Sequence, residues 1–177
     1  MDISEVERET AERQERAGEI FDEFDFHYGD VIRLEAAIDS LRESREKVDS
    51  AGVQEALRAA DEARDAIHAR VSELRKECKS LLERNRRMRK RCEVALVRKS
   101  QALQGVEQMG GVPDSLKASY GRIRESLSAD IARTRAVYDT LEDVEHQLDL
   151  TGQVLDGFGT DSVDAFMNMV AGLRNWS

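Results

Sequence analysis

The chain has 177 residues, of which 36% are charged and only 5% are aromatic, and its formal net charge is −9 at pH 7. This composition is typical of long helices with narrow apolar seams, and it disfavours a domain with a thick core or a large catalytic pocket. No run of about 18 apolar residues occurs and the first residues are charged, so neither a membrane span nor a secretory signal is predicted. We therefore interpret the chain as an intracellular protein of the cytoplasm or the nucleus.

Residues 1–29 are predicted to form an N-terminal helix. Ser4 and Glu7 have the spacing of a capping box, in which each side chain accepts a hydrogen bond from a free backbone amide. The helix is predicted to end at Gly29, after an aromatic cluster that closes a bundle or binds a partner. The alternative is a single helix through Gly29, at a cost of about 1 kcal/mol relative to alanine. The cluster consists of Phe21, Phe24, Phe26 and Tyr28.

Residues 30–109 are predicted to form one long coiled-coil helix with a kink or register slip at residues 50–53. Apolar residues recur in steps of four and three, and this average spacing of 3.5 keeps one helix face against a partner. Two polar residues on the seam, Asn85 and Lys99, are predicted to set the register of pairing. From residue 67 the seam is Ile67, Val71, Leu74, Cys78, Leu81, Asn85, Met88, Cys92, Ala95, Lys99, Ala102, Val106 and Met109.

A turn is predicted at residues 110–113, where two glycines precede the only proline. Residues 114–156 repeat the four-three spacing, and a short connection favours an antiparallel return helix. With Met109 beside Leu116, the numbers of facing residues would sum to about 225, and the return helix would leave residues 31–66 without cover. We therefore predict a seam that binds the folded-back N-terminal helix or another protein. Its main residues are Val31, Leu34, Ile38, Leu41 and Val48.

Residues 157–177 are predicted to form a flexible joint followed by a short amphipathic helix. A helix of about a dozen residues is not stable alone in water, so it must dock on this chain or on a partner. Methionines beside large aromatic side chains are common at interfaces. The candidate docking residues are Phe166, Met167, Met169, Val170, Leu173 and Trp176.

Eleven basic and three acidic residues lie between Arg75 and Lys99, a net charge of +8 in an acidic protein. One interpretation is pairing with the acidic residues at 139–149, since charges beside a coiled-coil seam select partner and orientation. Other interpretations are an acidic protein surface, a nuclear-import signal or an anionic membrane. Nucleic acid is disfavoured because no aromatic residues are interleaved for base stacking. The centre of this basic patch is Arg84, Arg86, Arg87, Arg89, Lys90 and Arg91.

The sequence contains no catalytic, cofactor-binding or metal-ligand motif, and its three histidines are isolated. We predict an all-α fold: a long antiparallel coiled-coil hairpin with an N-terminal helix and a short C-terminal docking helix. The predicted function is that of a non-enzymatic scaffold in a hetero-oligomeric kinetochore, cytoskeletal or vesicle-tethering complex, with other coiled-coil proteins as partners. The alternatives are a coiled-coil stalk or export chaperone of a secretion ATPase, and a binder of nucleic acid or anionic membranes through residues 75–99.

Overall fold

The computed structural model describes residues 2–47, 51–109 and 112–158. These residues form three α-helices, α1 (Ile3–Lys47), α2 (Ala51–Gln108) and α3 (Asp114–Gly157), with no strand among them. The predicted all-α fold class is confirmed. The single proline, Pro113, immediately precedes α3, a position where its missing amide hydrogen costs no helical hydrogen bond.

Helix α1 begins with a different cap from the one predicted. The Asp2 carboxylate accepts a hydrogen bond from the backbone N–H of Ser4 at 3.0 Å, so Asp2 occupies the capping position. The carboxylate of Glu7, predicted to complete a capping box with Ser4, instead binds the guanidinium of Arg133 on α3 at 2.6 Å. An ion pair between helices therefore takes the place of the predicted local contact.

The helix boundary predicted at residues 29–30 is absent, because α1 continues through Gly29 to Lys47. Phe24 and Val31 are buried on either side of Gly29. Burying one such side chain contributes about 1.5–3 kcal/mol, more than the cost of about 1 kcal/mol for one glycine in a helix. The predicted single helix over residues 30–109 is instead divided between α1 and α2. Residues 48–50, where a kink was predicted, lie outside the described residues.

The chain divides into two compact units, each with a segment of all three helices. Unit 1 comprises residues Met1–Glu15 and Leu81–Leu148, and unit 2 comprises Arg16–Ser80 and Asp149–Ser177. The core of unit 1 contains Ile3 and Val6 from α1, Met88 and Cys92 from α2, and Val137 and Leu141 from α3.

In unit 2, ion pairs join α1 to α2 in an antiparallel arrangement. Arg16 binds Glu77 at 2.7 Å, and Arg70 binds Glu23 at 2.6 Å, so the residue numbers rise on one helix as they fall on the other. The α1 guanidinium lowers the pKa of Glu77, and the α2 guanidinium lowers the pKa of Glu23. These pairs fix the side-by-side position of the two helices.

Candidate protein-binding surface

The seam predicted to lack cover lies inside unit 2. Val31 and Ile38 are buried, and Leu34 and Leu41 are half-buried. On α2 of the same unit, Leu57 is also buried. The prediction left this seam to the folded-back N-terminal helix or to another protein, because it assumed that one helix ran straight through residue 50. Instead α1 and α2 are separate helices that pair with each other. Val48 lies outside the described residues, as do Phe166, Met167, Met169, Val170, Leu173 and Trp176.

The aromatic cluster of unit 2 contains only part of the predicted set. Phe24 is buried, and its ring stacks on Tyr28 with centroids 6.0 Å apart. Phe158 packs edge-on against Phe24 at 5.8 Å and lies 5.0 Å from the ring of His68. Burial raises the pKa of Tyr28, and the nearby Glu35 carboxylate adds to this effect.

The aromatic cluster differs from the predicted one: two predicted members are not fully buried, and two residues that were not predicted belong to it. Phe21 is half-buried, and Phe26 is 68% exposed, with its ring packed edge-on against the neighbouring His27 ring. Phe158 and His68 were not predicted as members of the cluster. The signal for Phe158 was weak because glycines flank it in the sequence, and this pattern suggests a joint.

In unit 1, α1 packs over only part of α2 and α3. The segments of these helices beyond the start of α1 are not covered by it. Residues separated by multiples of seven on a heptad helix occupy equivalent positions. Leu116, Ile123, Val137 and Val144 are the apolar members of such a series on α3, with Asp130 between Ile123 and Val137. Val137 and Val144, in the region that α1 covers, are 6% and 1% exposed, whereas Leu116 and Ile123 are each 49% exposed. The same face of α3 is therefore interior at one end of unit 1 and open at the other.

Helix α2 shows the same change along its length. Cys92 packs against the start of α1 and is fully buried. Leu96 is still buried at 6% exposed, whereas Met109, directly after the end of α2, is 57% exposed. Val94, on a different side of α2 from Cys92, is 44% exposed. The hydroxyl of Tyr120 contacts the Met109 sulfur across the connection to α3. This surface, formed by residues 94–109 at the end of α2 and residues 112–130 at the start of α3, is called the open end of unit 1.

Only part of the basic patch pairs with the acidic residues of α3. Arg86 binds Glu145 at 2.9 Å, and Arg89 binds both Glu145 at 3.1 Å and Glu142 at 3.4 Å. The predicted register placed Glu142 near residue 83 and Glu145 near residue 80. The pairs Arg86–Glu145 and Arg89–Glu142 lie six residues further along α2, about 1.7 helical turns, and Arg89–Glu145 lies nine residues further.

The remaining basic side chains of the patch form no ion pair with α3 in the part of the chain that the structure describes. Arg87 binds Glu83 on its own helix at 3.2 Å. Arg84, Lys90, Arg91 and the nearby Arg98 are exposed. Among residues 2–47, 51–109 and 112–158, these four cations form no ion pair. Unit 1 therefore carries several positive charges that its own carboxylates leave without a direct partner.

A groove of about 890 Å³ runs between the beginning of α1 and α2 in unit 1. Its α1 side contributes Asp2, Glu5, Val6 and Glu9, so that three carboxylates face a basic helix. The α2 side contributes five basic residues, Arg87, Lys90, Arg91, Arg98 and Lys99, together with the apolar Met88, Val94 and Ala95. The groove combines an apolar floor with a positively charged wall.

Both predicted register-setting residues contact α3. Asn85 is fully buried, and its side-chain amide donates a hydrogen bond to the Leu141 carbonyl at 2.6 Å, while its own Oδ1 has no hydrogen-bond partner. The Lys99 ammonium binds the Asp130 carboxylate at 2.8 Å and donates to the Thr134 hydroxyl at 2.9 Å. Because each polar group has a specific acceptor on α3, sliding the helices would break these bonds.

The two cysteines are free, buried thiols in different units. Burial raises the pKa of Cys78 to about 11, with Asp149 and Asp156 adding to the shift. Burial also raises the pKa of Cys92. A thiol with a raised pKa stays protonated at neutral pH and is a poor nucleophile.

In the part of the chain that the structure describes, no group of three or more histidine, cysteine or carboxylate side chains is arranged to hold a metal ion. Across the same residues, no helix combines the length and apolar character that crossing a membrane requires. Comparison with known proteins finds no matching family model, no matching curated protein and no matching solved structure.

Proposed function

We propose that this chain is a non-enzymatic coiled-coil subunit of a hetero-oligomeric assembly of the kinetochore, cytoskeletal or vesicle-tethering type. The observation that carries the proposal is the open end of unit 1, where Leu116 and Ile123 are half exposed at positions that are interior elsewhere on α3. Apolar heptad residues without cover favour association with another helix.

The proposal treats α2 and α3 of unit 1 as an antiparallel coiled-coil hairpin. Its support is the order of the contacts, since Arg86 meets Glu145 whereas Lys99 meets Asp130. The buried Asn85 adds support, because one polar residue on a seam specifies a particular pairing at some cost in stability. A scaffold subunit needs a defined register of this kind so that its binding surfaces stand at fixed positions.

The test is the native mass of the full chain in extracts of its source cells, with proteins crosslinked to it identified by mass spectrometry. The proposal predicts a stable complex well above the 20.0 kDa of one chain. The double variant Leu116→Asp, Ile123→Asp should no longer assemble into that complex. Its helical circular dichroism should be unchanged, because both side chains are already half exposed. A chain that elutes as a monomer and crosslinks to nothing contradicts the proposal.

One observation favours a second candidate function, binding to a polyanion. Arg84, Arg91 and Arg98 recur at intervals of seven residues on α2 and form no ion pair with the described residues. Binding to nucleic acid through such a row would weaken steeply with salt, because each phosphate contact releases counterions. Affinity for a DNA duplex that falls as a power of the salt concentration would support this function over the scaffold.

A further inference from the structure

We propose that the open end of unit 1 binds an acidic amphipathic helix from another protein. This inference rests on the proposed function and assigns it a surface and a partner chemistry. The bound helix would follow the line of α1 past the position where α1 begins, and it would complete a three-helix arrangement over α2 and α3.

The beginning of α1 shows which kind of helix fits this path. Its apolar residues Ile3 and Val6 pack on Met88, Cys92, Val137 and Leu141. Its carboxylates Asp2, Glu5 and Glu9 line the groove opposite the basic residues of α2. An apolar stripe with acidic flanks is therefore the pattern that the chain itself places on these helices.

The α2 side of the path is basic from the start of α1 onwards. Arg91 and Arg98 are one heptad apart on the groove wall, with Val94 half exposed between them. Neither arginine forms an ion pair with the described residues. A carboxylate on an approaching helix would find an unpaired guanidinium at each of these positions.

The α3 side offers a matching cation. Arg133 binds Glu7 of α1 at 2.6 Å. Arg122 lies eleven residues earlier, just over three helical turns, and therefore occupies the same face of α3. In the described part of the chain, its guanidinium contacts only the Ser119 hydroxyl at 3.4 Å. Arg122 would thus hold a carboxylate of the partner as Arg133 holds Glu7.

The apolar part of the path has a defined length. From Cys92, which packs on α1, to the end of α2 at Gln108 there are 16 residues, which correspond to about 24 Å of helix. Half-exposed Val94, Ile123 and Leu116 lie beside this stretch. A partner helix of four to five turns would cover them and leave its acidic flanks beside Arg91, Arg98 and Arg122.

The test measures binding of a fluorescent synthetic helical peptide of about 20 residues to the full chain. The peptide has leucine at the two seam positions of each heptad and glutamate at the flanking positions. We expect saturable binding that weakens at least tenfold in the Arg91→Glu, Arg98→Glu variant. The matched control is Arg58→Glu, Lys76→Glu, which changes the net charge equally at exposed residues outside the groove and outside the open end, and it should bind the peptide as the unmodified chain does.

Several outcomes would overturn the inference. One is equal binding of a peptide with lysine at the flanking positions, and another is equal weakening by both charge variants, which would indicate a general charge effect. Displacement of the peptide by a DNA duplex or by phosphatidylserine vesicles, with that binding lost only in Arg91→Glu, Arg98→Glu, would assign the surface to a polyanion. Self-association that this variant abolishes would assign it to a second copy.

The inference and the proposed function fail in different ways. If the peptide does not bind but the chain still assembles with other proteins in its cells, the partner chemistry is wrong and the scaffold function stands. If the peptide binds but the chain has no protein partner in its cells, the proposed function is wrong. The helical circular dichroism of each variant shows that a loss of binding is not a loss of folding.

Discussion

Within unit 1, the region that α1 covers and the open end are built from the same two helices and the same heptad positions. In the covered region Val137, Val144 and Leu141 are interior, whereas Ile123 and Leu116 at the open end are half exposed. The apolar side chains are similar in size and type, so the difference comes from the third helix. Heptad spacing determines which face of a helix is apolar, but only a neighbouring helix turns that face into a core.

The largest effect should come from truncating a leucine in the covered region. Leu141→Ala removes a fully buried side chain and should lower the free energy of unfolding by about 2–5 kcal/mol. The matched change Leu116→Ala at the open end should cost less than about 1 kcal/mol, because half of that side chain is already in water. Urea unfolding followed by circular dichroism measures both, and equal losses would contradict the comparison.

The reaction rates of two cysteines, one in the covered region and one in the open end, make the same comparison. Cys92 is buried and its pKa is raised by burial, whereas Ala102 is exposed on the same helix. In an Ala102→Cys variant, the new thiol should react with a maleimide at least tenfold faster than Cys92. The maleimide reaches Cys92 only when the helices that bury it separate locally. Mass spectrometry of labelled peptides separates the two sites. Similar rates would mean that α1 does not protect its part of α2.

Replacing Asn85 tests whether its buried amide specifies the register of α2 against α3 at a cost in stability. Asn85→Leu removes an acceptor, Oδ1, that is buried without a partner, and this should raise the free energy of unfolding by about 1 kcal/mol. The hydrogen bond to the Leu141 carbonyl is lost at the same time, so the register should become less specific. Urea midpoints measure the stability, and crosslinks between α2 and α3 measure the register. A less stable protein with an unchanged crosslink pattern would contradict this role.

The ion pairs beside the apolar seams should contribute least to the free energy of unfolding. Arg16 lowers the pKa of Glu77 below its ordinary value of 4.5. A carboxylate with a lowered folded-state pKa stabilises the fold above its ordinary pKa and loses that contribution as the pH falls through the folded-state pKa. Glu77→Gln should therefore lower the midpoint of thermal unfolding slightly at pH 7, by the equivalent of at most about 1 kcal/mol.

At acid pH, the Glu77→Gln variant and the unmodified chain should unfold at the same temperature. Glu93→Gln is the control, since Glu93 is exposed and forms no ion pair in the described part of the chain. A difference between Glu77→Gln and the unmodified chain that persists well below pH 4.5 would show that the ion pair is not its cause.

The all-α class and the apolar faces could be predicted from sequence because both depend on local spacing. The buried residues Val6, Ile20 and Phe24 of α1 lie on the four-three pattern. Where the helices end was less predictable. Gly29 was expected to break a helix and does not, since the cost of one glycine is smaller than the gain from the buried residues on either side of it.

Which helix covers which seam could not be derived from spacing. The prediction left the seam from Val31 to Val48 to be covered by the folded-back N-terminal helix or by another protein, while the structure buries Val31 and Ile38 in unit 2 and leaves Ile123 exposed in unit 1. A heptad pattern is the same whether its partner lies in the same chain, in another protein or nowhere. The basic groove could not be predicted either, because it depends on which lysines and arginines form ion pairs with the carboxylates of α3.

Hydrogen exchange of the full chain, resolved to short peptides by mass spectrometry, tests the central claim most directly. The covered and open regions have similar helix content, so intrinsic helix formation does not distinguish them. We expect amides of residues 134–148 to exchange by large-scale unfolding, whereas amides of residues 95–108 and 116–130 exchange faster by local opening. Equal protection throughout α2 and α3 of unit 1 would contradict the distinction between the covered region and the open end.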